Sequence, residues 1–254
     1  MGRSLILLSN DDGIEAKGLR SLIDFLRDDY DLFVVVPDGQ RSAMSCCVTS
    51  FGEVIVSRVL SSQGLTMYTS SGTPCDCVKL ALSVLMERQP DLVVGGINHG
   101  NNASLNEVYS GTMGVAREGA LHGLPAVAFS LCNHDENADF SPLAPYIKNI
   151  VKGICERGLP KGSCLNVNFP SAPSFRGVRV CRAGRSKWIN EFSETRQLSP
   201  LVRGYQLGGE NIDVEPDSTD TDSWALVHGY VAITPLGWDT TDYKLKERLE
   251  KEVK

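Results

Sequence analysis

Short, unbroken apolar runs separated by helix-patterned stretches constrain this chain more than any other feature. Residues 4–9 (SLILLS), 31–37 (DLFVVVP) and 91–96 (DLVVGG) are too short for helices and too continuously apolar for half-exposed strands. Between the first two, Leu19, Leu22, Ile23 and Leu26 recur at i, i+3, i+4 and i+7, which is one face of a helix. Strands that are apolar on both sides need cover on both faces. The opening strand–helix–strand therefore predicts an α/β fold with a parallel sheet between two helical layers.

The rest of the chain continues the alternation. Strands are expected at 53–59 and 65–70, then a helix from Thr73 to about Arg88. Thr73 is a good N-cap, Pro74 fits the first helical position, and Asp76 suits the positive end of the helix. A long loop is expected from Ile97 to Tyr109, a helix from Gly111 to about His122, and a strand at 125–131. Ile147, Ile150, Val151 and Ile154 mark another helix, and 165–169 and 178–182 further strands. The order is that of a doubly wound, Rossmann-like, mostly parallel sheet. From about Gly184 the pattern changes. A long hairpin (188–192 with 202–207), an acidic loop (210–222), a returning strand (229–235) and a charged C-terminal helix are expected. The division is a core at 1–183 and an extension at 184–254.

Composition narrows the function classes. Lys and Arg number 25 against 31 Asp and Glu, a net charge of −6, which argues against nucleic acid as a partner. No stretch reaches the roughly 18 apolar residues of a membrane span, so no membrane partner is expected. Met1-Gly2-Arg3-Ser4 is followed by only four apolar residues before Ser9, too few for the core of a signal peptide, and Ile6 stands where a myristoylation motif has Ser or Thr. A cytoplasmic location is the expectation. The 8 cysteines include no C-x-x-C pair and are expected to be reduced, buried thiols. The phosphate loop G-x-x-x-x-G-K-[ST], the dinucleotide motif G-x-G-x-x-G after a strand, the G-x-S-x-G elbow and H-E-x-x-H are all missing.

In an open parallel sheet, ligands bind beyond the carboxyl ends of the strands. Three such ends carry chemistry: Asn10-Asp11-Asp12-Gly13, Pro37-Asp38-Gly39-Gln40-Arg41-Ser42, and Ile97-Asn98-His99-Gly100-Asn101-Asn102. Two adjacent carboxylates repel unless a cation or hydrogen-bond donors lie between them. Asp11, Asp12, Ser42 and Asn98 could supply an oxygen shell for Mg²⁺ or Mn²⁺. The alternative is a turn whose two Asp cap the following helix. Ser110-Gly111-Thr112 opens a helix, offering free N–H groups and hydroxyls to an anion; the alternative there is ordinary N-capping. His99 reads as a solvated or structural loop residue, and 210–222 as a solvated loop lacking EF-hand spacing.

Together these segments resemble the SurE family, the survival-protein-E nucleotidases. The resemblance is carried by ILLSNDDGI (6–14), PDGQRSAMS (37–45), SGTPCDCVKLAL (71–82), GGINHGNN (95–102), YSGTMGVAREGALHGLPAVAFS (109–130), NVNFP (166–170) and TDSWALVHGYVAITPL (221–236), in order over nearly the whole chain. It implies a metal-dependent phosphatase acting on nucleoside 5′- and 3′-monophosphates, with one Mg²⁺ or Mn²⁺ per subunit. The family's metal shell falls on Asp11, Asp12, Ser42 and Asn98, with Asp11 and Asp12 also the catalytic candidates. Its phosphate and substrate region falls on Asn102, Ser110, Gly111 and Thr112. Lys17 stands where the family usually has Pro, Ala43 where it commonly has Gly, and Ser104–Glu107 departs from its acidic spacer. The family also forms dimers and tetramers through C-terminal extensions, so a homodimer or homotetramer is expected. The competing expectations are an aspartyl-phosphate intermediate on Asp11 and a nucleotide-binding regulatory protein without turnover.

Overall fold

Strand β1 (Leu5–Ser9), helix α1 (Lys17–Leu26) and strand β2 (Asp31–Pro37) form the predicted opening in this computed structural model, which describes residues 2–253. Met1 and Lys254, at the two ends of the expected division, lie outside the described residues. There follow β3 (Val56–Ser62), β4 (Leu65–Ser70), α2 (Pro74–Leu80), β5 (Leu92–His99), α3 (Asn106–Tyr109), α4 (Gly111–Leu121), β6 (Ala126–Leu131), α5 (Ala144–Arg157) and β7 (Ser163–Phe169). The C-terminal part adds β8 (Val178–Val180), β9 (Ser186–Ile189), β10 (Phe192–Ser199), β11 (Val202–Leu207), β12 (Glu210–Asp213), α6 (Asp222–Val227), β13 (Val231–Gly237) and α7 (Tyr243–Glu252).

Nine strands form one sheet in the order β3-β4-β2-β1-β5-β6-β7-β13-β8. β4, β2, β1, β5, β6 and β7 run parallel; β3 is antiparallel at one edge, and β13 is antiparallel to β7 but parallel to β8. The period of two along each strand divides the core. Ile6 and Leu8 of β1 join Val34, Val94, Val127 and Phe129 in a layer with Leu19, Leu22, Ile23 and Leu26 of α1 and Ile147, Val151 and Ile154 of α5. Leu7 points the other way, with Val35, Val93, Ala126 and Ala128, onto Val78 of α2 and Met113, Val115 and Ala116 of α4. Burying each of the larger side chains contributes about 1.5–3 kcal/mol, which makes the two layers the main support of the sheet. The expected Rossmann-like α/β architecture is present. Strand β1 lies between β2 on one side and β5 on the other, so its carboxyl end is the switch point where such sheets hold ligands.

Several local expectations need correction. The helix opening at Thr73 is regular only to Leu80 and then widens into a π-helical turn at Ala81–Leu85. The expected loop from Ile97 begins later, because β5 extends to His99, and α3 interrupts it. The single hairpin is two ribbons: β9 pairs with β12, and β10 with β11. Part of the supposed acidic loop is thus strand β12. The two ribbons escaped the apolar pattern because their strands are mostly exposed and carry no buried stripe. Cys46 and Cys47 are exposed, against the expectation of buried thiols, whereas Cys75, Cys77, Cys164 and Cys181 are buried.

Candidate active site

The turn after β1 is built by Asn10, whose side chain was not singled out from the sequence. Buried Asn10 accepts the Gly13 N–H through Oδ1 at 3.1 Å and donates Nδ2 to the Gly13 carbonyl at 2.9 Å. This closed loop brackets Asp11 and Asp12. Gly13 has φ +88°, which a side chain would strain. An Asn three residues ahead of a Gly was the available signal.

Asp11 is 4% exposed. Its carboxylate accepts the Thr112 hydroxyl and packs on the first residue of α4: a Cβ on Gly111 would lie 2.8 Å from Asp11 Cβ. Glycine at 111 therefore lets the helix start approach the strand end. Burial pushes the Asp11 carboxyl up to about 6, the Thr112 bond opposing this and the neighbouring Asp12 adding to it. Burial also raises Asp12, against a bond from the His99 backbone. Asp12 Oδ2 is buried and without a hydrogen-bond partner among the described residues. An unpartnered, buried carboxylate oxygen beside a second desolvated carboxylate is what a cation would satisfy. The helix-capping alternative does not account for it, because Ala16 occupies the N-cap position of α1 with no side-chain cap bond.

The other two candidate ligands arrive from the neighbouring strand ends. Ser42 is exposed, its Oγ accepting from Gln40 Nε2 at 3.0 Å. Its loop is tied to Asp11 by the Arg41 N–H on the Asp11 carbonyl at 2.6 Å. Asn98 sits just past a register shift between β5 and β6 that separates Gly95 from Asn98; such bulges re-aim side chains at strand ends. Its amide donates to the carbonyls of His99 (3.2 Å) and Gly100 (3.0 Å), which leaves Oδ1 toward Thr112 Oγ1 at 3.5 Å. The set is two carboxylates, one amide and one hydroxyl, all hard oxygen donors suited to Mg²⁺ or Mn²⁺. No group of three or more His, Cys, Asp and Glu with metal-site geometry occurs among the described residues.

Ser110 and Thr112 divide the alternatives. Ser110 is the N-cap of α4, accepting the Met113 N–H at 3.1 Å, so ordinary capping accounts for that bond. Thr112 is committed to Asp11. Buried Asn102 donates Nδ2 to Ser130 Oγ at 2.9 Å, while its backbone N–H donates to Asn168 Oδ1 and its carbonyl accepts from Asn166. His99 packs edge-on to Phe140 with ring centres 4.8 Å apart, in keeping with its structural reading.

Two departures from the family pattern have local explanations. Lys17 is the first residue of α1, the position Pro favours, and its Nζ reaches the Asn137 carbonyl at 3.1 Å. Ala43 adopts φ +59°, the left-handed region where Gly is unstrained. The loop 37–50 is nevertheless held from outside. Thr73 Oγ1 donates to the Cys47 carbonyl at 2.6 Å, and Thr49 Oγ1 donates to Asp76 at 2.6 Å. A Cβ on Gly114 would sit 2.3 Å from the Ser45 carbonyl oxygen, so a second glycine in the first turn of α4 seats this loop.

The chain is similar to known proteins over nearly its whole length. Residues 6–190 match the family model described as Survival protein SurE. A protein of Phocaeicola vulgatus named 5′-nucleotidase SurE is 51% identical over 98% of this chain and 96% of its own length. One of Bacteroides fragilis with the same name is 46% identical over 98% and 97%. The crystal structure of the Sure protein from Aquifex aeolicus superposes with a TM-score of 0.82 at 32% identity, covering 98% of this chain and 100% of that one.

Proposed function

The chain belongs to the SurE family, and on that premise we propose that it is a metal-dependent 5′-nucleotidase, releasing phosphate from nucleoside monophosphates at the carboxyl ends of β1, β2 and β5. The observation that carries the reading is the Asp11–Asp12 pair at the switch point, one oxygen of which is buried and unpartnered. Asp11, Asp12, Ser42 and Asn98 would hold one Mg²⁺ or Mn²⁺ per subunit. That ion supplies charge neutralisation at the phosphoryl group and a more acidic water.

The protein groups have separable tasks. Asp11 is held by Thr112 and serves chiefly to bind the cation. Asp12, less constrained, orients the attacking water and accepts its proton. The start of α4 at Gly111, with the Ser110 hydroxyl, and Asn102 on the β5 side, receive the phosphoryl oxygens as charge develops, while the Thr112 hydroxyl stays on Asp11. Among the described residues no helix is long and apolar enough to cross a membrane.

The subunit is proposed to work as a homodimer or homotetramer. Phe192, Leu198, Leu201, Val202, Tyr205 and Leu207 of the β10–β11 ribbon are exposed, Leu201 at 95%. A two-stranded ribbon with this much exposed apolar surface is marginal alone and marks an interface. Phosphate release from a panel of nucleoside 5′- and 3′-monophosphates with added Mn²⁺ tests the activity. A chain that turns over none of them is not a nucleotidase.

A further inference from the structure

A buried carboxylate far from the candidate metal ligands in sequence joins the C-terminal segment to the loop that carries Asn102. Asp222, the first residue of α6, is 0% exposed. Its two oxygens accept from Ser104 N (2.9 Å), Ser104 Oγ (2.9 Å), Gly184 N (2.8 Å) and Ser223 N (2.8 Å), with Thr234 Oγ1 at 3.4 Å. No Lys, Arg or His forms an ion pair with it among the described residues. A desolvated carboxylate held only by N–H and O–H groups is costly unless all its acceptor positions are filled. Here they are filled by the adjacent Ser223 and from three more distant stretches of chain, at Ser104, Gly184 and Thr234.

Ser104 is the stretch that matters for chemistry. It has φ +53°, a conformation a serine seldom adopts, and two of the Asp222 bonds hold it there. A third contact, Ser104 Oγ to Ser223 Oγ at 2.5 Å, fixes the hydroxyl to the same helix start. Two residues earlier lies Asn102, pinned from the opposite side by Asn166, Asn168 and Ser130. The segment from Asn98 to Ser104 is therefore anchored at Asn102 by the ends of β6 and β7, and at Ser104 by α6. Gly184, where the segment leading to the ribbons leaves the core, shares the same carboxylate. A Cβ there would lie 2.7 Å from Ser104 Oγ, so the junction has no slack.

We propose that Asp222 is a positioning residue for phosphate binding, acting through Ser104 to hold Asn102 in place, and that it couples the exit of the C-terminal ribbons at Gly184 to the same loop. The inference rests on the nucleotidase reading and on Asn102 lying on the phosphate side. Asp222→Asn replaces one acceptor oxygen with an NH₂ that faces existing donors, releasing Ser104 without changing side-chain volume. Asp11 and Asp12 stand on β1 and do not depend on this junction.

The test is a split between KM and kcat, read on the full chain with Mn²⁺ and a nucleoside 5′-monophosphate. Asp222→Asn is expected to raise KM about tenfold and to change kcat less than about threefold, the pattern of lost binding and not of lost chemistry. Mn²⁺ affinity, titrated with the metal alone, should stay within about threefold. Ser104→Ala, a smaller lesion, should raise KM about threefold and covers the case in which Asp222→Asn does not fold. A merely structural role lowers the active fraction, so kcat would fall at unchanged KM in both variants; that result overturns the proposal. A wild-type chain that releases no phosphate overturns the nucleotidase reading and this inference with it, whereas wild-type KM in a folded variant overturns the inference alone.

Discussion

The Thr112 hydroxyl donates to the Asp11 carboxylate across 101 residues of sequence. The bond joins the end of β1 to the first turn of α4, so the same contact orients a proposed metal ligand and fixes the helix start against it. Thr112→Val keeps the shape and removes the donor. A hydrogen bond to a charged group contributes about 1.5–3 kcal/mol, so kcat/KM should fall about tenfold or more. Thr112→Ser should restore most of it. Equal losses in the two variants would assign the effect to packing.

Asp12→Asn preserves volume and removes a charge that would face the proposed cation. The expected loss in kcat is at least about 100-fold, or about 2.7 kcal/mol of transition-state stabilisation. Asn98→Ala should also be severe, and Ser42→Ala milder, since an exposed neutral hydroxyl holds a cation less firmly than a carboxylate. Near-normal turnover in Asp12→Asn would show that the metal shell has been placed on the wrong residues.

Chelation offers a check that needs no variant. EDTA should abolish phosphate release, and Mg²⁺ or Mn²⁺ should restore it, because every candidate ligand is an oxygen. Full activity after exhaustive metal removal is the outcome that counts against the site.

The loop carrying Ser42 has its own acid-sensitive anchor. Burial opposes ionisation of Asp76, but bonds from Thr49 and from Thr73 outweigh it and hold the carboxyl below its ordinary value. With the folded-state value depressed, the stabilisation is present above the unfolded value and is lost as pH falls through the folded one. Asp76→Asn should cost about 1–2 kcal/mol at neutral pH, the range of a lost helix cap. In urea unfolding, the gap between wild type and variant should close as pH drops below 3.8, the ordinary aspartate value. A gap that persists unchanged in acid would mean that the charge is not what anchors the loop.

Assembly is tested by light scattering at micromolar concentration. At least a dimer with two-fold symmetry is expected, with residues 184–209 contacting a neighbouring chain. A mass near 27.6 kDa would refute it, and so would a dimer that survives deletion of the ribbon.

The sequence by itself determined the sheet and marked the candidate residues at the ends of its strands. Unbroken apolar runs such as 4–9 and 91–96 have only one stable home, a strand covered on both faces, and the period of α1 supplied one of those covers. Ligands collect at the carboxyl ends of such strands, so Asp11, Asp12, Ser42 and Asn98 were legible from their places just after three of them. The tertiary structure decided what no spacing encodes. That Thr112 serves Asp11, that Asp222 reaches Ser104 over 118 residues, and that one expected hairpin is two ribbons are matters of long-range contact. A buried carboxylate and a surface one look alike in sequence, and an exposed ribbon leaves no apolar stripe. Only the folded chain shows which polar groups lose water and must find each other.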